Sequence, residues 1–457
     1  MQNDYRYKIA AVSLGCDKNR IDTEEILALL GREGYIISAD PAAADLVIVN
    51  TCAFIEEAQQ ESIATLLKLA RHRRGRKPLI IAAGCLAEHF GARLLEILPE
   101  LAGVIGVHSY SRLVEFIQKC RSGQRPAYLL PPPERYCSLG PRLLTSAPFS
   151  VYVKIAEGCN NRCRYCLIPS LRGPLRSRPA HEIVNEVCDL VKGGAREVNL
   201  IAQDTTAYGT ESGGAPALTG LIKQILDAAP DLPWLRILYA YPSRIDAGLI
   251  ELMATEPRLC RYLDMPLQHI HTELLRRMGR TYSREDVIAL ITTLRSAIPD
   301  LALRTTFMTG FPGETRAAFE ALKQFLIEYP LQHVGVFAYS SQKGTAAALM
   351  KEQVPRRVAL KRRRELLEQQ QKISLQLNRA LIGKRVTVLV ERRLSGKKQS
   401  YYGRTAAQAP AVDGGVYFRS REPLAPGDFI TLTITAAAPY HLFGANPAAI
   451  TLPWRKR

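Results

Sequence analysis

Short apolar runs separated by helix-length segments recur along most of the chain, and that alternation limits the fold more than any other feature. In the first part the runs are Lys8–Leu14, Leu46–Asn50 and Leu79–Ala83, with helical patterns over Asp22–Leu30 and from about Glu56 to Ala70. Unbroken apolar runs of strand length read as strands buried on both faces, which is the pattern of a parallel sheet covered by helices. After a proline-rich stretch the alternation resumes, with runs at Val151–Ile155, Glu197–Ile201, Leu235–Leu238, Tyr262–Asp264, Ala302–Phe307 and His333–Phe337. These units fall short of the eight that close a barrel, so an open, partial (β/α)6 TIM-like barrel is predicted. A helix over Val358–Leu381 follows. Beyond it come short alternating strands between Gly, Pro and Asp turns, which predict a small all-β barrel. The fold class is therefore α/β, with an N-terminal parallel α/β domain over 1–120, a linker over 121–148, a central partial barrel over 149–378 and the β barrel over 379–450.

Cysteine placement points to metal chemistry. Cys159, Cys163 and Cys166 form C-x-x-x-C-x-x-C in a loop that follows the first strand of the central domain. Three thiolates at that spacing can hold three irons of a four-iron cubane and leave the fourth for a substrate or cofactor. A structural cluster or a zinc site would bring a fourth Cys or His nearby, and none follows. Barrel chemistry belongs at the carboxyl ends of the strands, where this loop lies. In the N-terminal domain Cys16, Cys52 and Cys85 each sit just past the end of a strand. Carboxyl ends of an open parallel sheet share one rim, where ligands collect. Gly15 and Gly84 precede two of these cysteines and allow close approach of a bulky group. The three read either as small buried hydrophobes or as a second cluster with one open iron, and their shared position favours the cluster.

Other groups fall on the central rim: Gln203 and Asp204, Ser243 and Arg244, Gln268 and His269. The segment T-G-F-P-G-E-T brings Gly310 and Gly313 to a strand end, where a glycine pair can admit the flat face of an adenine or simply make a tight turn. Arg176 and Arg178 can meet a carboxylate or only water. Gln203, Gly310, Gly313, Arg176 and Arg178 are the expected cofactor-binding residues. Cys188 and Cys260 read as packing residues, and Cys120 and Cys137 receive no role. The N-terminus lacks a signal-peptide core, and no apolar run reaches membrane-spanning length. The ten cysteines then read as ligands or thiols of a reducing cytoplasm, with no membrane partner.

Charge is uneven. Residues 351–457 hold 21 Lys and Arg against 7 Asp and Glu, so +14 of the net +18 lies there. Such a module suits contact with RNA or a ribonucleoprotein, or is a solvated basic face.

From Tyr7 to about Pro447 the chain resembles the radical S-adenosylmethionine methylthiotransferases, and within them the RimO branch. The strings that carry the resemblance are S-L-G-C-D-K-N-R-I-D-T-E, N-T-C-A-F-I-E-E-A, K-I-A-E-G-C-N-N-R-C, R-S-R-P, L-I-A-Q-D-T-T-A-Y-G, Y-P-S-R-I, M-P-L-Q-H and G-R-T-A-A-Q-A-P. The tRNA-modifying branch usually carries Y-G-C-Q-M-N at the first cysteine and G-Q-N-V-N where this chain has A-Q-D-T-T. Two departures from the RimO pattern are Asp17 in place of a common Pro and H-L-F-G in place of D-L-x-G. The resemblance implies an N-terminal domain with an auxiliary cluster on Cys16, Cys52 and Cys85, a radical core with a cluster on Cys159, Cys163 and Cys166, and a C-terminal TRAM domain. It implies two 4Fe-4S clusters and S-adenosyl-L-methionine as cofactors, and a reduced electron donor. The implied reaction puts a methylthio group on the β-carbon of an aspartate in a small-subunit ribosomal protein near the decoding centre. That carbon is not acidic enough for a base and an alkylating agent, so a radical derived from S-adenosylmethionine removes its hydrogen. The basic tail suits RNA, so a tRNA adenosine stands as the second substrate, while ribosomal RNA beside the target protein reconciles charge and motifs. A non-catalytic iron–sulfur protein that binds RNA or senses redox state is the third reading. Two triads that each leave an iron open weigh against it.

Overall fold

The computed structural model describes residues 7–71, 78–211, 213–396 and 399–446. Its N-terminal sheet has six parallel strands in the order Ile36–Ile37, Lys8–Ser13, Leu46–Thr51, Leu79–Gly84, Leu101–Ile105, Ala127–Tyr128. Leu46–Thr51 is buried along its whole length, as a strand with helices on both faces must be. Separate apolar clusters fill the two faces, one around Val47, Val49 and Leu66, the other around Ile26, Ile48 and Phe116. Strand order reverses between Lys8–Ser13 and Leu46–Thr51, which makes the crevice past their carboxyl ends the switch point where such sheets bind ligands.

Three strands of this sheet lie outside the expected set, one of them the two-residue Ile36–Ile37. Leu101–Ile105 (L-A-G-V-I) is interrupted by Gly103, where a Cβ would stand 2.6 Å from the Phe116 ring; the packing that requires the glycine also hides the apolar run. Ala127–Tyr128 belongs to the proline-rich stretch read as linker, yet it pairs with Val104–Ile105. The backbone N–H of Val104 also donates to the Pro126 carbonyl at 3.0 Å.

The central sheet has six parallel strands, Ser150–Lys154, Glu197–Ile201, Trp234–Ile237, Leu259–Asp264, Ala302–Thr309 and His333–Ala338, lying side by side in chain order. It is open at both edges, as six units too few for closure predict. One large apolar cluster joins its outer face to the surrounding helices. The helix Arg356–Arg379 packs along the last two strands and leads into a closed five-stranded barrel spanning Arg385 to Ala445. Val388, Val390, Tyr401, Val416, Phe418 and Leu432 fill it.

The three units share a core. Ile21 from the first, Tyr152, Trp234 and Tyr262 from the second, and Leu389 and Ala409 from the third form one buried cluster on the inner face of the partial barrel. Polar contacts accompany it. Glu197, wholly buried, accepts from Arg236 at 2.9 Å and from Arg404 of the small barrel at 2.5 Å. Tyr262 donates to Asp413 at 2.7 Å, and Arg236 donates to the Ala406 carbonyl at 2.8 Å. Among the described residues, no helix is long and apolar enough to cross a membrane.

Candidate active site

The loop carrying Cys159, Cys163 and Cys166 leaves the first central strand at its carboxyl end and is tied down on every side. The Cys159 backbone N–H donates to the Gly173 carbonyl at 3.1 Å and that of Arg164 to Met278 at 2.9 Å. Asn161 donates to Asp204 at 2.7 Å, Arg244 donates to the same carboxylate at 2.7 Å, and Arg244 reaches back to the Asn161 carbonyl oxygen at 3.0 Å. Arg280 donates to the Tyr165 hydroxyl at 2.8 Å. Two sulfurs already accept backbone N–H groups, Cys159 from Asn161 and Cys166 from Ile168, each at 3.4 Å. Donors aimed at sulfur are what a thiolate bound to iron needs. Burial pushes the Cys159 thiol up to about 11 and the Cys166 thiol up to about 12. Both therefore stay protonated at neutral pH until a metal displaces the proton.

The N-terminal triad is built on the switch-point crevice. Cys16 stands just before the helix Asp17–Arg32, Cys52 follows Leu46–Thr51, and Cys85 opens the short helix Cys85–Phe90. Gly15 has φ +85°, and a Cβ there would lie 2.8 Å from the Cys52 sulfur. Only glycine allows the first loop to pass that close to the second. Burial pushes the Cys85 thiol up to about 12, with the Arg172 guanidinium acting against it. Among the described residues no three Cys, His, Asp or Glu side chains are placed to grip a single metal ion. Ligands of a cubane bind three different irons and stand further apart than the ligands of one ion, so this does not count against a cubane at either triad.

Between the triads runs a buried polar chain. Arg172, 3% exposed, comes from the segment just after the Cys159 loop and crosses into the N-terminal domain. There it donates to Asn19 at 2.6 Å, to Asp22 at 2.7 Å and to the Cys85 sulfur at 3.4 Å. It also donates to Glu157 at 3.1 Å, and Glu157 accepts from Lys154 at 2.9 Å and from Gln203 at 2.6 Å. Burial alone would raise the Glu157 carboxyl; Arg172 and Lys154 overcome it and hold the group ionised. The chain thus connects a cysteine of the N-terminal triad to the rim that carries the other triad. Among the described residues Gln203 keeps its amide oxygen buried and without a hydrogen-bond partner.

The other expected residues separate into two groups. Arg176 is 4% exposed and donates to the carbonyls of Pro174 and Arg172, each at 2.9 Å. Arg176 lines a cavity of about 110 Å³ at the domain seam, together with Lys154, Glu157, Arg172 and the ring of Tyr136. Arg178 is taken up by Glu182 and Glu186 of the following helix. Gly310 and Gly313 have the positive φ of a turn, but neither is open space. A Cβ at Gly310 would stand 2.2 Å from the Ala359 Cβ, and one at Gly313 would meet the Arg277 guanidinium. Packing against Ala359 requires glycine at 310, while at 313 it is the positive φ that favours it. Glu314 lies beneath them, accepting from the Gly310 N–H at 2.6 Å and from Arg362 at 2.6 Å. Sequence reasoning missed Arg172, Glu157, Asn19 and Arg280. Asn19 and Glu157 stand inside strings already singled out, three and two residues from a triad cysteine.

Comparison with known proteins fits this arrangement. Residues 8–106 match the Uncharacterized protein family UPF0004, residues 153–326 the Radical SAM superfamily, and residues 382–446 the TRAM domain. A protein of Desulforudis audaxviator (strain MP104C) named ribosomal protein uS12 methylthiotransferase RimO is 49% identical, over 95% of this chain and 96% of its own. Proteins of the same name from Geobacter sulfurreducens and Pelotomaculum thermopropionicum are 44% and 42% identical, each over 96% of this chain and 98% of their own. Among solved structures, the radical S-adenosylmethionine methyltransferase TsrM from Kitasatospora setae superposes with a TM-score of 0.54 at 17% identity, covering 73% of this chain and 75% of that one. That likeness shows a shared fold.

Proposed function

The chain belongs to the RimO family of ribosomal protein uS12 methylthiotransferases, and from that premise we propose how its residues divide the work. It transfers a methylthio group to the β-carbon of an aspartate in uS12, a small-subunit protein near the decoding centre. Its cofactors are two 4Fe-4S clusters and S-adenosylmethionine. When bound, these supply the electron, the radical and the methylated sulfur. Cys159, Cys163 and Cys166 hold one cluster, in the core of 149–378, and Cys16, Cys52 and Cys85 hold the other, in 1–120. Gln203 offers its free amide oxygen to the amino end of S-adenosylmethionine, and Arg176, Arg178, Gly310 and Gly313 shape the surrounding wall.

The observation that carries this reading is the buried chain Cys85–Arg172–Glu157–Gln203, which fixes two open triads against one seam. Arg172 orients the N-terminal triad, Glu157 keeps that arginine and Gln203 in place, and the packed seam excludes water from the reacting groups. The third unit, 379–450, brings basic side chains to ribosomal RNA beside the target protein. A reduced one-electron donor completes the set of partners, and the compartment is the cytoplasm.

Loaded enzyme with reductant and S-adenosylmethionine, given unmodified small subunits or free uS12, should add one methylthio group to uS12 by mass spectrometry and leave tRNA nucleosides unchanged. Small subunits should be the better substrate at low salt, and their advantage should shrink as salt rises. Reversing the exposed charges of Arg385, Arg392 and Arg393 should lower the salt slope by about one per lost phosphate contact. Equal use of free uS12 at all salt concentrations contradicts the RNA contact. A methylthio group appearing on tRNA contradicts the substrate.

A further inference from the structure

We propose that Lys18 recognises the side-chain carboxylate of the substrate aspartate and thereby sets substrate choice; this rests on the uS12 reading above. Lys18 is the second residue of the helix Asp17–Arg32, two positions after Cys16. Its side chain is only 6% exposed. Among the described residues it makes no ion pair and no hydrogen bond, and its ammonium lies 2.9 Å from the centroid of the Tyr239 ring. A buried ammonium without a counter-ion is expensive, and contact with one aromatic face offsets it only in part.

The carboxylates around it make their ion pairs with other cations, its sequence neighbour Asp17 only loosely, with Arg20 at 3.9 Å. Asp264 accepts from Arg304 at 2.7 Å and from the Tyr239 backbone N–H at 3.3 Å. Glu157 accepts from Lys154 and Arg172, and Asp22 from the same two side chains. Among the described residues Lys18 is therefore a buried positive charge with no ion pair of its own, at the place where the N-terminal triad meets the central rim. Tyr239 adds a second, independent sign. It follows the strand Trp234–Ile237 at its carboxyl end and holds φ +64°, a conformation that a bulky residue adopts at a cost and that concentrates at functional sites. That strained backbone puts the tyrosine ring under the ammonium.

An aspartate brings one carboxylate attached directly to the carbon that is to be modified. Pairing it with Lys18 satisfies the unpaired charge and fixes the β-carbon next to the Cys16 side of the seam. An amide cannot do this, because it carries no charge to match. Lys18 acts in recognition and orientation; the transferred atoms are not its own.

The test is binding, read without turnover. Loaded enzyme without reductant is titrated with labelled uS12 carrying the target aspartate or an asparagine in its place. The unmutated protein should prefer the aspartate form by about tenfold or more, as a charge-assisted contact requires. Lys18→Met and Lys18→Gln should reduce that preference to less than about twofold by weakening only the aspartate form, and Lys18→Arg should keep part of it. Iron content and thermal unfolding should match the unmutated protein in all three. If Lys18→Met and Lys18→Gln keep the full preference, or if the unmutated protein binds both forms equally, the proposal falls while the uS12 reading stands. If neither form binds the unmutated protein, the uS12 reading falls and takes the proposal with it.

Discussion

Cys163→Ala is expected to abolish release of 5′-deoxyadenosine from S-adenosylmethionine and to abolish methylthio transfer, whereas Cys85→Ala is expected to keep the release and lose only the transfer. The asymmetry follows from how the two triads are supported. Cys163 lies inside the loop pinned by Asp204, Arg244 and Arg280, and its loss removes one of three possible iron ligands there. Cys85 supports the other triad, and the bond that Arg172 of the central domain makes to its sulfur is the longest of that arginine's side-chain bonds. Without that sulfur, Arg172 still holds Asn19, Asp22 and Glu157, so the Cys159 loop keeps its geometry. Chromatography of 5′-deoxyadenosine, with mass spectrometry of uS12 from the same reaction, reads both activities. A folded Cys85→Ala protein that has lost both would contradict the separate roles of the triads.

The second large effect is on stability, and it lies at the junction with the C-terminal barrel. Glu197 is buried between Arg236 and Arg404, which are 0% and 1% exposed at the side chain. Removing one partner of such a group leaves buried charge unmatched, so Glu197→Gln and Arg404→Met should each destabilise the protein by about 3–5 kcal/mol in chemical denaturation. The effect has a pH signature. Burial alone would raise the Glu197 carboxyl, but Arg404 and Arg236 overcome it and hold the group at about 2, below its ordinary value of 4.5. A depressed folded pKa means that the stabilisation is complete above about pH 4.5 and is lost as pH falls toward 2. Unmutated protein should therefore lose stability across that window more steeply than Glu197→Gln, and parallel acid profiles would show that the carboxylate contributes nothing. A further consequence concerns the basic tail. Deleting the barrel would strip Arg404 from Glu197 and uncover Trp234 and Tyr262, so the barrel is part of the folded unit and RNA contact is better tested by surface charge reversal.

The architecture was legible because its signals are local. Each central strand concentrates apolar residues in a short stretch that needs only its own sequence to be recognised, and all six formed where that pattern lies. Leu101–Ile105 escaped because Gly103 breaks its run for the sake of a distant phenylalanine ring. The triads were legible for a related reason, since each cysteine follows a strand end and parallel sheets bring those ends together. What joins the triads was not. Arg172 lies in an unremarkable L-R-G, and its partners Asn19, Asp22 and Cys85 are far away in the chain; no spacing rule links them. Gly310 and Gly313 show the reverse case. Their pattern left an adenine face and a tight turn equally open, and the structure adds that Ala359 and Arg277 lie beside them. Glycine in a sequence marks where backbone comes close to something without saying to what.

Iron content after anaerobic reconstitution tests the two-triad account most directly. Unmutated protein should bind about eight irons per chain, two cubanes of four. Replacing Cys159, Cys163 and Cys166 together by alanine should leave about four, and replacing Cys16, Cys52 and Cys85 should likewise leave about four. Saturation of the unmutated protein near four, with no further loss when the N-terminal triad is removed, would contradict the account.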